Sequence, residues 1–207
     1  MKNQSIRWTE EEIAALQITR IFQIKGEIQR KVWSHLELLQ DALREEIENH
    51  TLLAPEGIDT QTGQIAKGEN HMRLPFVYLD FPKFFSREEK CTFRTFFWWG
   101  NSVVYALILE GKFLLQYKKR IKENYNTLIK GNFHLAITKD PWEWRKGNPH
   151  TVPLKKNNKK EFLHYLEEKS FIKLERFLEL KEPAFKEGRI LKEGIATFRL
   201  LTPILFK

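Results

Sequence analysis

Apolar residues recur every three to five positions through Ile13, Leu16, Ile21, Ile24, Ile28, Val32, Leu36, Leu39, Leu43 and Ile47. That spacing is one stripe along a helix of about ten turns. Thr9-Glu10-Glu11-Glu12 stands in front of it. There the threonine hydroxyl can accept from the amide three residues on while Glu12 reaches back, so the helix is predicted to begin at this capping box. Gly26 falls inside the stripe and predicts a bend or a break. From Thr51 to Arg73 no period survives, and Pro55, Gly57, Gly63 and Gly68 punctuate a polar stretch. This predicts a long loop dividing a helical arm, residues 1–50, from the rest of the chain.

The pattern then changes period. Leu74 to Asp80 reads as a strand that Pro82 ends. Cys91 to Trp99 is aromatic and β-branched, Gly100-Asn101 supplies turn chemistry, and Ser102 to Leu109 runs on almost wholly apolar. Together they predict a hairpin at the centre of a sheet covered on both faces. Phe113, Leu114, Tyr117, Ile121, Tyr125, Leu128 and Ile129 lie on one face of a helix ending near Gly131. A strand over 133–138, a turn at Asp140-Pro141, a helix over 159–169, a strand over 172–180 and a last helix from Pro183 to Leu205 complete the order. This predicts one α+β domain: a 74–207 core with a mostly antiparallel sheet of about five strands flanked by helices, preceded by the long N-terminal helix.

Composition narrows the picture. The 207 residues include 16 Phe, 6 Trp and 5 Tyr, too much large apolar surface for a disordered chain. Cys91 is the lone cysteine, which excludes an internal disulfide or a cysteine zinc cluster and fits a reducing compartment. The start shows no apolar leader and no run approaches a membrane span, so a cytoplasmic location and no membrane partner are expected. The formal net charge is +8, and residues 111–160 alone carry 13 Lys+Arg against 3 Asp+Glu. A concentrated basic stretch is what a polyanion surface needs, because each phosphate contact gains from counterion release. The same residues also read as the solvated face of a helix (Lys118, Lys119, Arg120, Lys122) followed by a basic loop.

No phosphate-binding glycine loop, nucleophile elbow or H-E-x-x-H motif is present, and the six histidines are scattered, so no cofactor and no metal are expected. Cys91 is a weak candidate nucleophile. Two aromatic and charged clusters stand out. Asp80, Arg94, Trp98 and Asn101 gather at the hairpin, where Arg94, Phe96 and Trp98 share one strand face. There arginine beside tryptophan can grip an anion, or Arg94 can simply pair with Asp80 among core aromatics. Trp142, Trp144 and Arg145 form the second cluster in the Pro141 turn, either a partner surface or a cover for the core.

The segment Asp80-Phe81-Pro82-Lys83-Phe84-Phe85-Ser86-Arg87-Glu88-Glu89-Lys90, with Lys169-Ser170-Phe171 and the terminal helix through Thr202-Pro203-Ile204-Leu205, resembles the YktB-like superfamily of α+β proteins. The resemblance implies an antiparallel sheet between a helical N-terminus and a C-terminal strand-helix pair. It implies no activity.

Three functional expectations result. The first is a non-catalytic binding protein for an acidic partner such as nucleic acid, using Lys118, Lys119, Arg120, Lys122 and the loop from Arg145 to Lys160. The second is an enzyme acting on a small anion in a sheet-face pocket near Asp80, Arg94 and Trp98. The third is a homodimer formed through the first helix.

Overall fold

The computed structural model describes residues 7–207. The helices are α1 (Glu10–Gln17), α2 (Arg20–Ile47), α3 (Leu114–Glu123), α4 (Tyr125–Ile129), α5 (Lys159–Glu168), α6 (Pro183–Lys186) and α7 (Ile190–Leu205). The strands are β1 (Gln64–His71), β2 (Leu74–Phe85), β3 (Lys90–Trp98), β4 (Ser102–Glu110), β5 (His134–Ala136), β6 (Thr151–Pro153) and β7 (Phe171–Glu179). All pairings in the sheet are antiparallel, in the order β1-β2-β3-β4-β7-β5-β6.

The α+β class and the central β3–β4 hairpin match the sequence reading; seven strands replace the expected five. The added long strand, β1, lies inside the stretch expected to be loop. Its pattern is polar because it is the sheet's edge strand, with little core to face. The preceding segment is held by Asp59, whose carboxylate accepts from the amides of Gln61, Thr62 and Gly63, and by bridges from Leu52 to Phe206 and from Asp59 to Lys83. Pro82 does not end β2. It sits where the register shifts between Asp80 and Lys83, a place where a missing N–H costs little.

The capping box at Thr9 and Glu12 forms as read. The helix breaks not at Gly26 but at Ile18-Thr19, and Gly26 lies in open space within α2, where lacking a side chain costs only propensity. Two further predicted helices divide: the basic one at Asn124 between α3 and α4, the last one around Gly188, whose φ is +71°.

Strand alternation sorts the sheet's side chains onto two faces. Odd-numbered positions of β3 and β4 (Cys91, Phe93, Phe97, Val103, Tyr105, Leu107, Leu109) pack against Val32, Leu36, Leu39, Leu43 and Ile47 of α2 and Phe198 and Leu201 of α7. Each of these large side chains contributes about 1.5–3 kcal/mol on burial. Gly194 lets α7 approach closely, since a Cβ there would lie 2.9 Å from both Leu39 methyls. Even-numbered positions (Phe96, Trp98, Val104, Ala106, Ile108) form a second core with Trp144, Trp142 and Tyr78. The cover on this side is the loop between β5 and β6. The continuous apolar run of β4 follows from its being covered on both sides.

Candidate functional site

One row of residues crosses the second face of the sheet. The register sets Asp80 opposite Arg94, Arg94 opposite Ala106, Ala106 opposite Glu175, and Glu175 opposite His134. Arg94 donates from Nε and one terminal nitrogen to the two Asp80 oxygens, at 2.7 and 2.6 Å, and the Thr92 hydroxyl adds a bond at 3.3 Å. The guanidinium carbon lies 4.2 Å from the Tyr78 ring centre and 4.5 Å from that of Trp142. Asp80 is buried and Arg94 nearly so. Arg94 is therefore a paired, stacked strut, and the expected anion pocket at Asp80, Arg94 and Trp98 does not form around it: neither charged residue lines the cleft beside Trp98.

The next pair on this face is Lys173 and Glu175, both with no exposed surface. Lys173 donates to the Glu143 carbonyl and lies 4.1 Å from the Trp144 ring centre. Its Nζ stands 3.0 Å from Glu175 Oε1, but neither Glu175 oxygen accepts a well-aligned hydrogen bond. Burial pushes the Glu175 carboxyl up to about 7, opposed by the Lys173 charge, and burial lowers the Lys173 ammonium. Nearby, burial pushes His134 down to about 4, and hydrogen bonds from Arg145 pull Glu143 down to about 2. Trp142 and Trp144 are thus the cover of a polar core, with Trp144 stacked on Phe96 at 4.5 Å.

Charges on α3 are likewise committed. Lys118 is buried, not solvated, and donates to the Glu167 carbonyl at 2.7 Å. Arg120 donates to the carbonyls of Ile204 and Phe206 and so ties down the end of α7. Lys122 pairs with Glu167, leaving Lys119 as the well-exposed cation, 3.9 Å from Glu123. The predicted solvated basic face is corrected accordingly: two of its four cations serve the fold. Cys91 is buried near the Tyr117 hydroxyl, and burial pushes its thiol up to about 12, which removes thiolate chemistry at neutral pH.

The turn from β3 to β4 separates two concavities, because Trp98 and Trp99 point to opposite faces. On the second face a polar cleft of about 390 Å³ brings together Trp98, Asn101, Trp144 and Arg145 with Lys146 and Glu179. Four residues singled out from the sequence therefore meet here. Its cations are neutralised: Arg145 pairs with Glu143 at 2.6 Å and Lys146 with Glu179 at 2.8 Å. On the helix face an apolar hollow of about 360 Å³ lies between α2, the turn and the α6 region, walled by Ile28, Val32, Phe97, Trp99, Phe185 and Ile190. Lys31 and His35 stand on its α2 edge, one helical turn apart. No acid, hydroxyl or thiol side chain lines it, and Lys31 has no salt bridge among the described residues. His35 Nδ1 donates to the Lys31 carbonyl at 2.7 Å, which leaves Nε2 as the nitrogen available at the edge.

Sequence reasoning missed the hollow and the Lys173–Glu175 pair. Ile28 and Val32 read as plain stripe residues, and the alternation of Lys173 and Glu175 with apolar neighbours read only as a strand. The signal for the pair was the aromatic turn that carries Trp144, whose ring covers Lys173. Among the described residues no helix is long and apolar enough to cross a membrane, and no three metal-ligating side chains converge.

Compared with known proteins, the chain matches no family model, no curated protein and no solved structure, so the YktB-like resemblance draws no support from that quarter.

Proposed function

We propose that this is a non-catalytic binding protein whose ligand is a small amphipathic anion, an apolar body ending in a carboxylate or phosphate, held in the hollow under α2. The observation that carries the reading is an acid-free apolar cavity with a lysine at its edge that has no salt bridge among the described residues. Ligand sites are commonly apolar concavities of about 300–1,000 Å³ with a few polar groups fixing orientation. Here the body would replace water against Phe97, Trp99 and Phe185 while the head meets Lys31 and His35. Catalysis draws no support from the hollow itself, whose lining holds no nucleophile or carboxylate; Glu27 and Ser34 share the next groove along α2 with Lys31 and His35, outside that lining. Nucleic acid is the less supported acidic partner, since Lys118 and Arg120 are spent inside the fold.

Calorimetric titration with decanoate and with decanol tests the reading. Decanoate is expected to bind more tightly than decanol. Lys31→Met should weaken decanoate about five- to tenfold, the effect of one partly exposed charge contact, and leave decanol unchanged. Equal binding of both ligands, or decanoate binding indifferent to Lys31→Met, would contradict it.

A further inference from the structure

Every residue from Arg7 to Gln23 is exposed. The stretch nevertheless carries Trp8, Ile13, Leu16, Ile18, Ile21 and Phe22, each between 38% and 71% exposed. A folded chain rarely leaves so many large apolar side chains contiguous and uncovered unless something covers them. Length gives the same answer: α1 has 8 residues, none of them buried, and a helix shorter than about 12–15 residues is marginal in water without packing, even with a good cap. Below the break, Ile21, Ile24 and Ile28 run at helical spacing into the buried Val32 and Leu36, so an apolar stripe of the core continues beyond the edge of the domain.

Charge identifies the occupant. The exposed stretch is polarised: at one end Glu10, Glu11 and Glu12 outweigh Arg7, and at the other stands Arg20. Glu10, Glu11 and Arg20 have no salt bridge among the described residues. A two-fold interface must be complementary to itself. Two such arms laid antiparallel bring the acidic first turn of α1 in one, Glu11 included, towards Arg20 of the partner subunit, and the apolar side chains on either side of the Ile18-Thr19 break towards each other. A parallel pairing would set the acidic ends against each other. We propose that residues 8–23 form the interface of an antiparallel homodimer.

Size-exclusion chromatography with light scattering on the full chain tests this. At a concentration on the order of 100 µM the mass should be twice 24.8 kDa. The double substitution Leu16→Glu/Phe22→Glu should give the monomer mass with the thermal unfolding of the domain unchanged, because neither side chain touches the core. Glu11→Arg and Arg20→Glu should each raise the dimer dissociation constant roughly tenfold, two contacts being lost per dimer, and the two together in one chain should restore it. A monomer at that concentration, a dimer that survives Leu16→Glu/Phe22→Glu, or single charge reversals without effect would each overturn the proposal.

Discussion

Trp98 and Trp99 are neighbours in sequence and open onto opposite sides of one sheet, and the two sides treat charge in opposite ways. On the side of Trp98, Arg94 is matched by Asp80, Arg145 by Glu143 and Lys146 by Glu179, while Lys173 and Glu175 are sealed together beneath Trp144. On the side of Trp99, the hollow is walled by hydrocarbon, and Lys31 at its edge has no carboxylate partner among the described residues. The face richer in ionisable groups has the fewer to offer a ligand. A charge count along the chain therefore measures how much charge there is, and pairing decides how much of it is available.

The comparison can be broken most severely at its buried end. Lys173→Ala leaves Glu175 in the interior without a cation and should cost about 3–5 kcal/mol in urea unfolding. Lys173→Met with Glu175→Leu removes both charges and should recover most of that loss. A single variant as stable as the parent would mean that water reaches this face.

Acidity sharpens the same contrast. Because burial raises Glu175 from 4.5 to about 7, the folded chain holds a proton that the unfolded chain has released between those values. Its contribution is fully present below pH 4.5 and lost as pH rises through about 7, a swing of about 3 kcal/mol at most. His134, pushed down to about 4, works in the opposite sense, destabilising the fold as pH falls from 6.5. Glu175→Gln leaves His134 in place, so its stability relative to the parent should rise between pH 4.5 and 7.5. A constant difference across that range would contradict the assignment.

The helix face is tested by filling it. Ile28→Trp places an indole in the hollow and should lower decanoate affinity about a hundredfold, some 2.7 kcal/mol, while stability changes little. The smallest effect belongs to the exposed end of the basic run. Lys119→Glu should alter stability by less than about 0.5 kcal/mol, whereas Lys118→Ala, which orphans the Glu167 carbonyl, should cost about 1–2 kcal/mol.

Much of the fold was legible because periodicity reports burial. The α2 stripe, the central hairpin and the two-faced β4 all showed in the spacing of apolar residues. Edge strand β1 did not, since a strand that buries little carries little pattern. Helix breaks were misplaced because Gly26 has the sequence signature of a kink, whereas the chain breaks at Ile18-Thr19, beyond the last contact with the core. Of the candidate site residues, Trp98, Asn101, Trp144 and Arg145 do converge on one cleft. Lys118 and Arg120 went unread as structural because their partners, the carbonyls of Glu167, Ile204 and Phe206, lie 49 to 86 residues away in the chain. The hollow was invisible for the same reason: α2, the β3–β4 turn and the α6 region meet only in three dimensions.

Tryptophan emission during a decanoate titration separates the two faces directly. The emission change seen with the parent chain should persist in Trp98→Phe and vanish in Trp99→Phe, because only Trp99 stands in the hollow. A change that vanishes in Trp98→Phe and persists in Trp99→Phe would move the ligand to the polar cleft and contradict the account.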